Sequence, residues 1–216
     1  TAQKDDDERE IEDYKSYIDY ELIEIEQYKN RKFKNPKLKR LANTYINIQR
    51  NEREAVENQD FVDSTFVSKW NQYQNKRFEL LLDINSIVKI PIQDKNILDS
   101  ILKSGKAVKE FNRVYGILVD TFDPKNFVVE EVETGSEKEK RYVGNFENTT
   151  GHYIDYIDVS IDFYDKNDKV YSGFRFDTRY AWENGTKKSF EFSIPDSDTR
   201  FKYFKVNLGE KSFMFE

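Results

Sequence analysis

Hydrophobic residues recur at three- and four-residue steps through the first half of the chain, the spacing of one face of an α-helix. Four such segments are separated by short polar or proline-containing links. Their apolar positions are Ile11, Tyr14, Ile18, Leu22 and Ile25; Leu38, Leu41, Tyr45 and Ile48; Phe66, Trp70, Tyr73, Leu80, Ile84 and Ile87; and Ile97, Leu98, Ile101, Leu102, Val108 and Phe111. The pattern predicts about four helices, packed as an antiparallel bundle over residues 1–111.

A long helical hairpin is the alternative to a closed bundle. The first and third segments each span roughly 28 residues, or about 40 Å as helices. That length favours an extended arm that pairs with another copy of the chain, whereas the short links favour the bundle.

In the second half, apolar and polar residues alternate, as expected for strands with one buried and one exposed face. The clearest run places Ile157, Val159, Ile161 and Phe163 between polar neighbours, and turn residues such as Asn184-Gly185 separate the runs. The spacing predicts an antiparallel β-sandwich over residues 112–216. The predicted fold class is therefore α+β, with the helical and β parts segregated along the chain.

Glycine and charge divide the chain at the same place. All eight glycines lie from Gly105 onward, which agrees with a helical first half because helix interiors avoid glycine. Residues 1–111 carry 20 basic and 21 acidic groups, and residues 112–216 carry 15 and 20, so their net charges are −1 and −5. The acidic second half is a poor candidate for binding phosphates.

Three segments of the second half resemble the FxLYD-type domains. Residues 142–150 are similar to the first core strand of that family. Residues 157–165 resemble its signature strand, with Phe163-Tyr164-Asp165 in place of Leu-Tyr-Asp, and Asp168 stands where the next turn usually has glycine. Residues 182–190 resemble its Leu-x-Pro-Gly-Glu turn, with proline and glutamate replaced. The resemblance covers residues 127–206.

This resemblance implies an immunoglobulin-like β-sandwich in a cell-envelope protein of a Gram-positive bacterium, often a lipoprotein. The family has no common catalytic residues to carry over. It implies structural roles for Tyr164, which would pack at a corner, and for Asp165, whose carboxylate would begin a turn by accepting backbone hydrogen bonds.

Few catalytic or metal-binding chemistries remain open. The chain has no cysteine, which excludes disulfides, thiolate metal sites and thiol catalysis. His152, the single histidine, follows Gly151 in a predicted turn, and we interpret it as a solvated loop residue. The acidic run from Asp165 fails the calcium-loop pattern, since its sixth and twelfth positions are Val170 and Phe176. We therefore predict no catalytic residue, no metal site and no cofactor.

One charged cluster exceeds what helix capping requires. Residues 29–40 contain seven basic residues and no acidic residue: Lys29, Arg31, Lys32, Lys34, Lys37, Lys39 and Arg40. Lys37 and Lys39 would lie at the start of the second helix, where positive charge is unfavourable. The cluster is a candidate binding surface for an anionic partner: an acidic protein, wall polymer, lipid head groups or nucleic acid. The alternative is a solvated helix tip that aids solubility.

Together, these features predict a non-enzymatic binding or interaction module outside the cytoplasm. We expect it to be held at a bacterial cell surface by a lipid on an N-terminal segment that has been removed, and to contact the membrane only through that anchor. One alternative is a carboxylate-dependent hydrolase of the cell envelope. Another is an intracellular nucleic-acid binder that uses residues 29–40, which the net charge of −6 disfavours. The sequence predicts no oligomeric state.

Overall fold

A computed structural model of the chain describes residues 2–58, 64–134, 137–178, 181–209 and 212–216. These residues form α-helices α1 Ala2–Glu26, α2 Pro36–Asn58, α3 Ser64–Ile87 and α4 Lys95–Thr121, a 3₁₀ helix Pro124–Asn126, and strands β1 Val128–Thr134, β2 Glu137–Glu147, β3 Ile154–Tyr164, β4 Val170–Thr178, β5 Lys187–Pro195, β6 Tyr203–Asn207 and β7 Phe213–Phe215. The predicted α+β class, helices followed by antiparallel sheets, is confirmed. The chain forms two compact units, residues 1–110 and 111–216, and the division falls within α4.

Helices α1 and α2 pack antiparallel, joined by ion pairs along their contact. Asp19 Oδ1 of α1 lies 2.8 Å from Arg53 Nε of α2. Further along α1, Glu26 Oε1 lies 2.6 Å from Arg50 Nε. The residue numbers rise on one helix as they fall on the other, which is the signature of an antiparallel pair. None of the helices that the structure describes is long and apolar enough to cross a membrane.

The apolar face predicted for α1 is the face that meets α2 and α3. Ile18 of α1 and Val56 of α2 are buried against each other, and Tyr14 and Leu22 pack beside them. The Tyr14 ring meets Trp70 of α3 edge-on, with 4.9 Å between ring centroids. The core of this unit is therefore built by the three- and four-residue spacing seen in the sequence.

Helix α4 approaches α3 closely at Gly105. A Cβ atom at this position would lie 2.5 Å from the Phe78 backbone oxygen and 2.9 Å from Leu82 Cβ. Near the same place, Lys109 forms an ion pair with Asp83 of α3. Glycine at 105 therefore permits a close helix–helix approach, and it does not interrupt the helix.

The fourth helix continues ten residues beyond its predicted end at Phe111. Val114 and Leu118, which follow at helical spacing, are buried in the core of the β unit together with Phe122. Residues 112–121 therefore belong to the β unit as the last part of a helix, although the sequence predicts β structure from residue 112. Gly116 lies inside the helix with no neighbouring atom near its open side.

In the described residues of the β unit, seven antiparallel strands form two sheets. One sheet has the order β1-β2-β5, and the other has the order β4-β3-β6, with β7 also pairing β3. A register shift between Phe163 and Tyr164 marks an irregularity near the end of β3. Tyr164 stacks on Tyr203, its partner on β6, at 4.8 Å between ring centroids.

Aromatic rings fill the space between the sheets and the end of α4. The Phe122 ring meets Phe190 of β5 edge-on at 4.8 Å and Phe146 of β2 at 5.1 Å. Trp182 is fully buried beside them. Alternate residues of β3 and β5 are buried, as the period-two pattern predicts: Ile157, Val159, Ile161, Phe190, Phe192 and Ile194.

A buried asparagine joins two loops at one end of the β unit. Asn148 Nδ2 donates to the backbone oxygens of Trp182 at 2.7 Å and His152 at 2.9 Å, while its Oδ1 accepts from the Thr150 backbone N–H at 3.0 Å. The Asn148 backbone oxygen accepts from Gly185 N–H at 2.7 Å. The side chain thus satisfies backbone groups that burial would otherwise leave unpaired.

The two α4 glycines should respond oppositely to the same substitution. Gly105→Ala is expected to destabilise the protein by about 1–3 kcal/mol, because the new methyl group meets the α3 backbone. Gly116→Ala is expected to stabilise it by about 0.5–1 kcal/mol, since that site is open and alanine is the better helix former. Urea unfolding of the two variants beside wild type measures both effects. A stable Gly105→Ala protein would contradict the close approach.

Candidate binding surface

A turn links α1 to α2, and the hydrogen bonds at its end fix where α2 begins. We call residues 27–40 the basic turn. Asn35 Oδ1 accepts hydrogen bonds from the backbone N–H groups of Lys37 at 2.9 Å and Leu38 at 3.2 Å. Pro36 is the first residue of α2, where its missing N–H costs nothing. The helix start is therefore where the sequence predicts it.

All seven basic side chains of the predicted surface are exposed. Arg31 donates from Nη2 to Gln27 Oε1 at 3.0 Å, and its guanidinium lies 4.9 Å from the centre of the Tyr28 ring. Among the residues whose side chains the structure describes, none of the seven has a carboxylate at ion-pair distance: Lys29, Arg31, Lys32, Lys34, Lys37, Lys39 and Arg40. The sequence cluster is thus a group of exposed bases, without described acidic partners, at the end of the α1–α2 hairpin.

Arginines further along the same hairpin behave differently. Arg50 is paired with Glu26, and Arg53 is paired with Asp19 and also lies 3.6 Å from Glu57 Oε2. The ladder of ion pairs therefore stops at Glu26, the last residue of α1. Beyond it the chain supplies bases without acids, so positive potential accumulates at the turn.

The start of α2 adds to this potential. The N-terminal end of a helix carries partial positive charge, and Lys37, Lys39 and Arg40 lie within its first turn and a half. Like charges at this end raise the free energy of the free protein slightly. A bound anion would remove that cost, and the geometry is suited to binding one.

A second charged cluster lies inside the helical unit. Glu21 of α1 accepts hydrogen bonds from Tyr45 Oη, from Gln49 Nε2 at 2.7 Å and from Arg77 Nη2 at 2.6 Å. Tyr45 and Gln49 are on α2 and Arg77 is on α3, so this carboxylate contacts both neighbouring helices. Burial, with a further contribution from the Glu21 carboxylate and against the opposing effect of Arg77, raises the pKa of Tyr45 to about 12.

Glu52 is the most deeply buried acid of this cluster, with no exposed surface. Its Oε1 accepts from Gln74 Nε2 at 2.5 Å, and its Oε2 lies 3.5 Å from Arg77 Nη1 without a hydrogen bond. Burial raises the pKa of Glu52, and the positive charge of Arg77 opposes the rise. Because the group is sealed between helices, it has no route to a substrate, and we assign the cluster a structural role.

Asp165 and His152, two loop residues considered in the sequence analysis, each have a hydrogen-bond partner in the structure. Asp165 Oδ1 accepts from the backbone N–H of Lys169 at 3.0 Å and of Asn167 at 2.8 Å, which lowers the pKa of Asp165 and confirms the predicted turn. Asp168, at a position where FxLYD-type domains usually have glycine, has φ of 60°. His152 is half-buried: its Nδ1 lies 2.8 Å from the Glu216 backbone oxygen. Among the described residues, no cluster of three potential ligands could hold a metal ion.

One cleft of the β unit, about 470 Å³, is lined by two carboxylates, Asp120 and Asp123. Asp123 Oδ1 accepts from the Lys125 backbone N–H at 3.0 Å, and its Oδ2 lies 2.7 Å from Lys125 Nζ. The Lys125 side chain and backbone lower the pKa of Asp123. The general acid of a hydrolase that uses paired carboxylates needs a raised pKa, so Asp123 is not suited to that role.

Sequence reasoning missed two groups of residues that the structure makes prominent. Gln49 and Glu52 are buried, although a charged helix predicts exposure for both. Tyr17, Tyr20 and Ile23 are exposed on the side of α1 away from the bundle. Their three-residue spacing, opposite the predicted apolar face, was a signal available in the sequence.

Comparison with known proteins gives little additional information. No protein-family model matches the chain, and no curated protein matches it. Among solved structures, the chain is similar to the Salmonella enterica trimeric lipoprotein SadB, with a TM-score of 0.30 and 12% sequence identity, over 73% of this chain and 99% of that chain. A similarity at this TM-score carries no argument about function. The FxLYD assignment therefore stays a prediction.

Glu52→Gln is expected to stabilise the protein at neutral pH and to change little in acid. The pKa of Glu52 is raised in the folded chain above its ordinary value of 4.5, so the folded state holds the proton more tightly than the unfolded state does. The contribution of this proton to the free energy of unfolding is fully present below pH 4.5. It is lost as pH rises through the folded-state pKa of Glu52. Glutamine avoids that loss.

Urea unfolding of wild type and Glu52→Gln between about pH 4 and pH 8 measures this difference. Glu54→Gln, an exposed position on the same helix, is the matched control and should show no such dependence. A Glu52→Gln protein less stable than wild type at pH 7 would mean that the interaction with Arg77 outweighs the burial.

Proposed function

We propose that the chain is a non-enzymatic interaction module that acts at a bacterial cell surface and binds an anionic partner through the basic turn. The observation that carries the proposal is the absence of described acidic partners for seven exposed bases, at the end of a hairpin whose other arginines are paired. The partner is an acidic protein surface or an anionic wall polymer. Nucleic acid is disfavoured because Phe33 is the only aromatic residue in residues 29–40, so few rings are available to stack on nucleobases.

The shape of this surface favours a polymer with many anionic groups over a small, compact anion. The bases are spread over a turn and the start of a helix, and they do not converge on an enclosed pocket. Exposed lysines on flexible stems suit a polymer of phosphates or carboxylates, whose charges they can follow without fixed geometry. Such binding is strongly weakened by salt.

Placement at the cell surface is supported by the resemblance to FxLYD-type domains. A lipid on a removed N-terminal segment would anchor the protein there. We expect protease added to intact cells of the native organism to degrade the protein, while a cytoplasmic marker survives. Protection of the protein until the cells are lysed would contradict a surface location.

The test of binding uses purified poly(glycerol phosphate) at low salt, with wild type and a Lys32→Glu/Lys34→Glu variant. We expect the variant to bind at least about tenfold more weakly, since each base near an anionic surface contributes on the order of 1 kcal/mol. The same two-charge reversal at Lys166 and Lys187, which are exposed on the β unit, is the matched control and should leave binding nearly unchanged.

Three results would contradict this proposal. One is equal loss of binding in both double variants, which would show that only net charge matters. Another is failure of wild type to bind the polymer at low salt while it shifts a duplex DNA, which would favour the nucleic-acid alternative. The last is release of cleaved polymer during the incubation, which would make the chain a hydrolase.

A further inference from the structure

Helix α1 has a second apolar face, directed away from the bundle. Tyr17, Tyr20 and Ile23 are 77%, 76% and 73% exposed. At about 100° per residue, Tyr20 lies roughly 200° around the helix from Ile18, which is buried against α2. The helix is therefore apolar on two opposite sides, and only one side is covered in the single chain.

This outer face is unusual among the exposed apolar residues of the chain. Single exposed hydrophobic side chains are normal on protein surfaces. Here three large ones follow each other at three-residue steps along two turns of one helix. A contiguous apolar patch with polar residues at its rim, here Asp13 and Glu24, is typical of an interaction site.

The charge of the hairpin is arranged asymmetrically about this face. Residues 5–13, on the N-terminal side, contain seven acidic residues and one basic residue. Residues 27–40, on the C-terminal side, are the basic turn, with seven basic residues and no acidic residue. Tyr20 lies midway between residue 13 and residue 27.

We propose that the outer face of α1 binds the same face of a second copy of this chain, with the two α1 helices antiparallel and crossing at Tyr20. In this register Tyr17 of each copy faces Ile23 of the other. The N-terminal end of α1 in each copy, whose sequence is acidic, then lies on the same side as the basic turn of the other. A parallel arrangement would instead bring acidic segments together and basic turns together.

A second copy fits this surface because the surface is complementary to itself. A two-fold interface uses the same patch on both partners, so each feature must match its own image about the axis. The apolar centre satisfies this condition, and so does the placement of opposite charges on its two sides. The inference rests on the proposed function in one respect, since it takes the basic turn as a surface that binds anions.

Sedimentation equilibrium over a range of concentrations tests self-association directly. We expect wild type to approach twice the 25.9 kDa mass of one chain, and to dissociate more readily when salt is raised from about 0.05 M to about 0.5 M. Tyr17→Ser/Ile23→Ser should weaken the dimer by at least about tenfold, because it removes the apolar centre. Val67→Ser/Ile97→Ser, at exposed apolar positions of α3 and α4, is the matched control.

Cross-linking tests the register, and the cysteine-free chain makes it specific. Facing helices lie about 8–10 Å apart, so a short bis-maleimide is suitable. Tyr20→Cys should cross-link to itself. Tyr17→Cys should cross-link to Ile23→Cys in a mixture, but poorly to itself, since the two substituted positions would be displaced by about 9 Å along the axis. Efficient self-linking of Tyr17→Cys would overturn the antiparallel register.

The results separate this inference from the proposed function. Wild type that stays monomeric at every concentration, yet binds the polymer, overturns self-association and leaves the proposed function standing. A dimer with the expected cross-links that fails to bind the polymer overturns the proposed polymer partner and supports the second copy. Loss of the dimer in Tyr17→Ser/Ile23→Ser with polymer binding retained supports both.

Discussion

The hydrogen bonds around Glu21 determine which side chains the helical unit presents to its surroundings. This carboxylate accepts from Tyr45, Gln49 and Arg77, on two different helices. A charged group that is partly buried is costly without its partners, so rotation or sliding of α1 would be strongly penalised. With α1 held in this orientation, Tyr17 and Tyr20 must face outward, and the turn beyond Glu26 must extend past the last ion pair.

The spacing of apolar residues in the sequence predicted helices and strands whose buried faces follow directly from that spacing. The face of α1 that contains Ile18 and Leu22 was visible at three- and four-residue steps, and the buried residues of β3 were visible at steps of two. The start of α2 at Pro36 followed from local backbone chemistry, which does not depend on distant contacts. The basic turn was equally local, so its residues and their exposure could be anticipated.

Features that depend on tertiary contacts could not be read in this way. Gly105 lowers helix propensity, but the structure needs it because the α3 backbone lies where a Cβ would be. Glu52 belongs to a helix rich in charge, and only the positions of Gln74 and Arg77 on α3 make its burial tolerable. Both cases show that a residue disfavoured locally can be required by a neighbour distant in sequence.

The first strand of the β unit affects the tendency of the protein to aggregate at high concentration. Strand β1 is at the edge of its sheet, where unpaired backbone groups can recruit another strand and begin aggregation. It carries Glu130, Glu131 and Glu133, and such charges on an edge strand disfavour that recruitment. An edge protected in this way helps to keep the chain dispersed at high protein concentration, because edge-to-edge pairing of β1 strands is disfavoured.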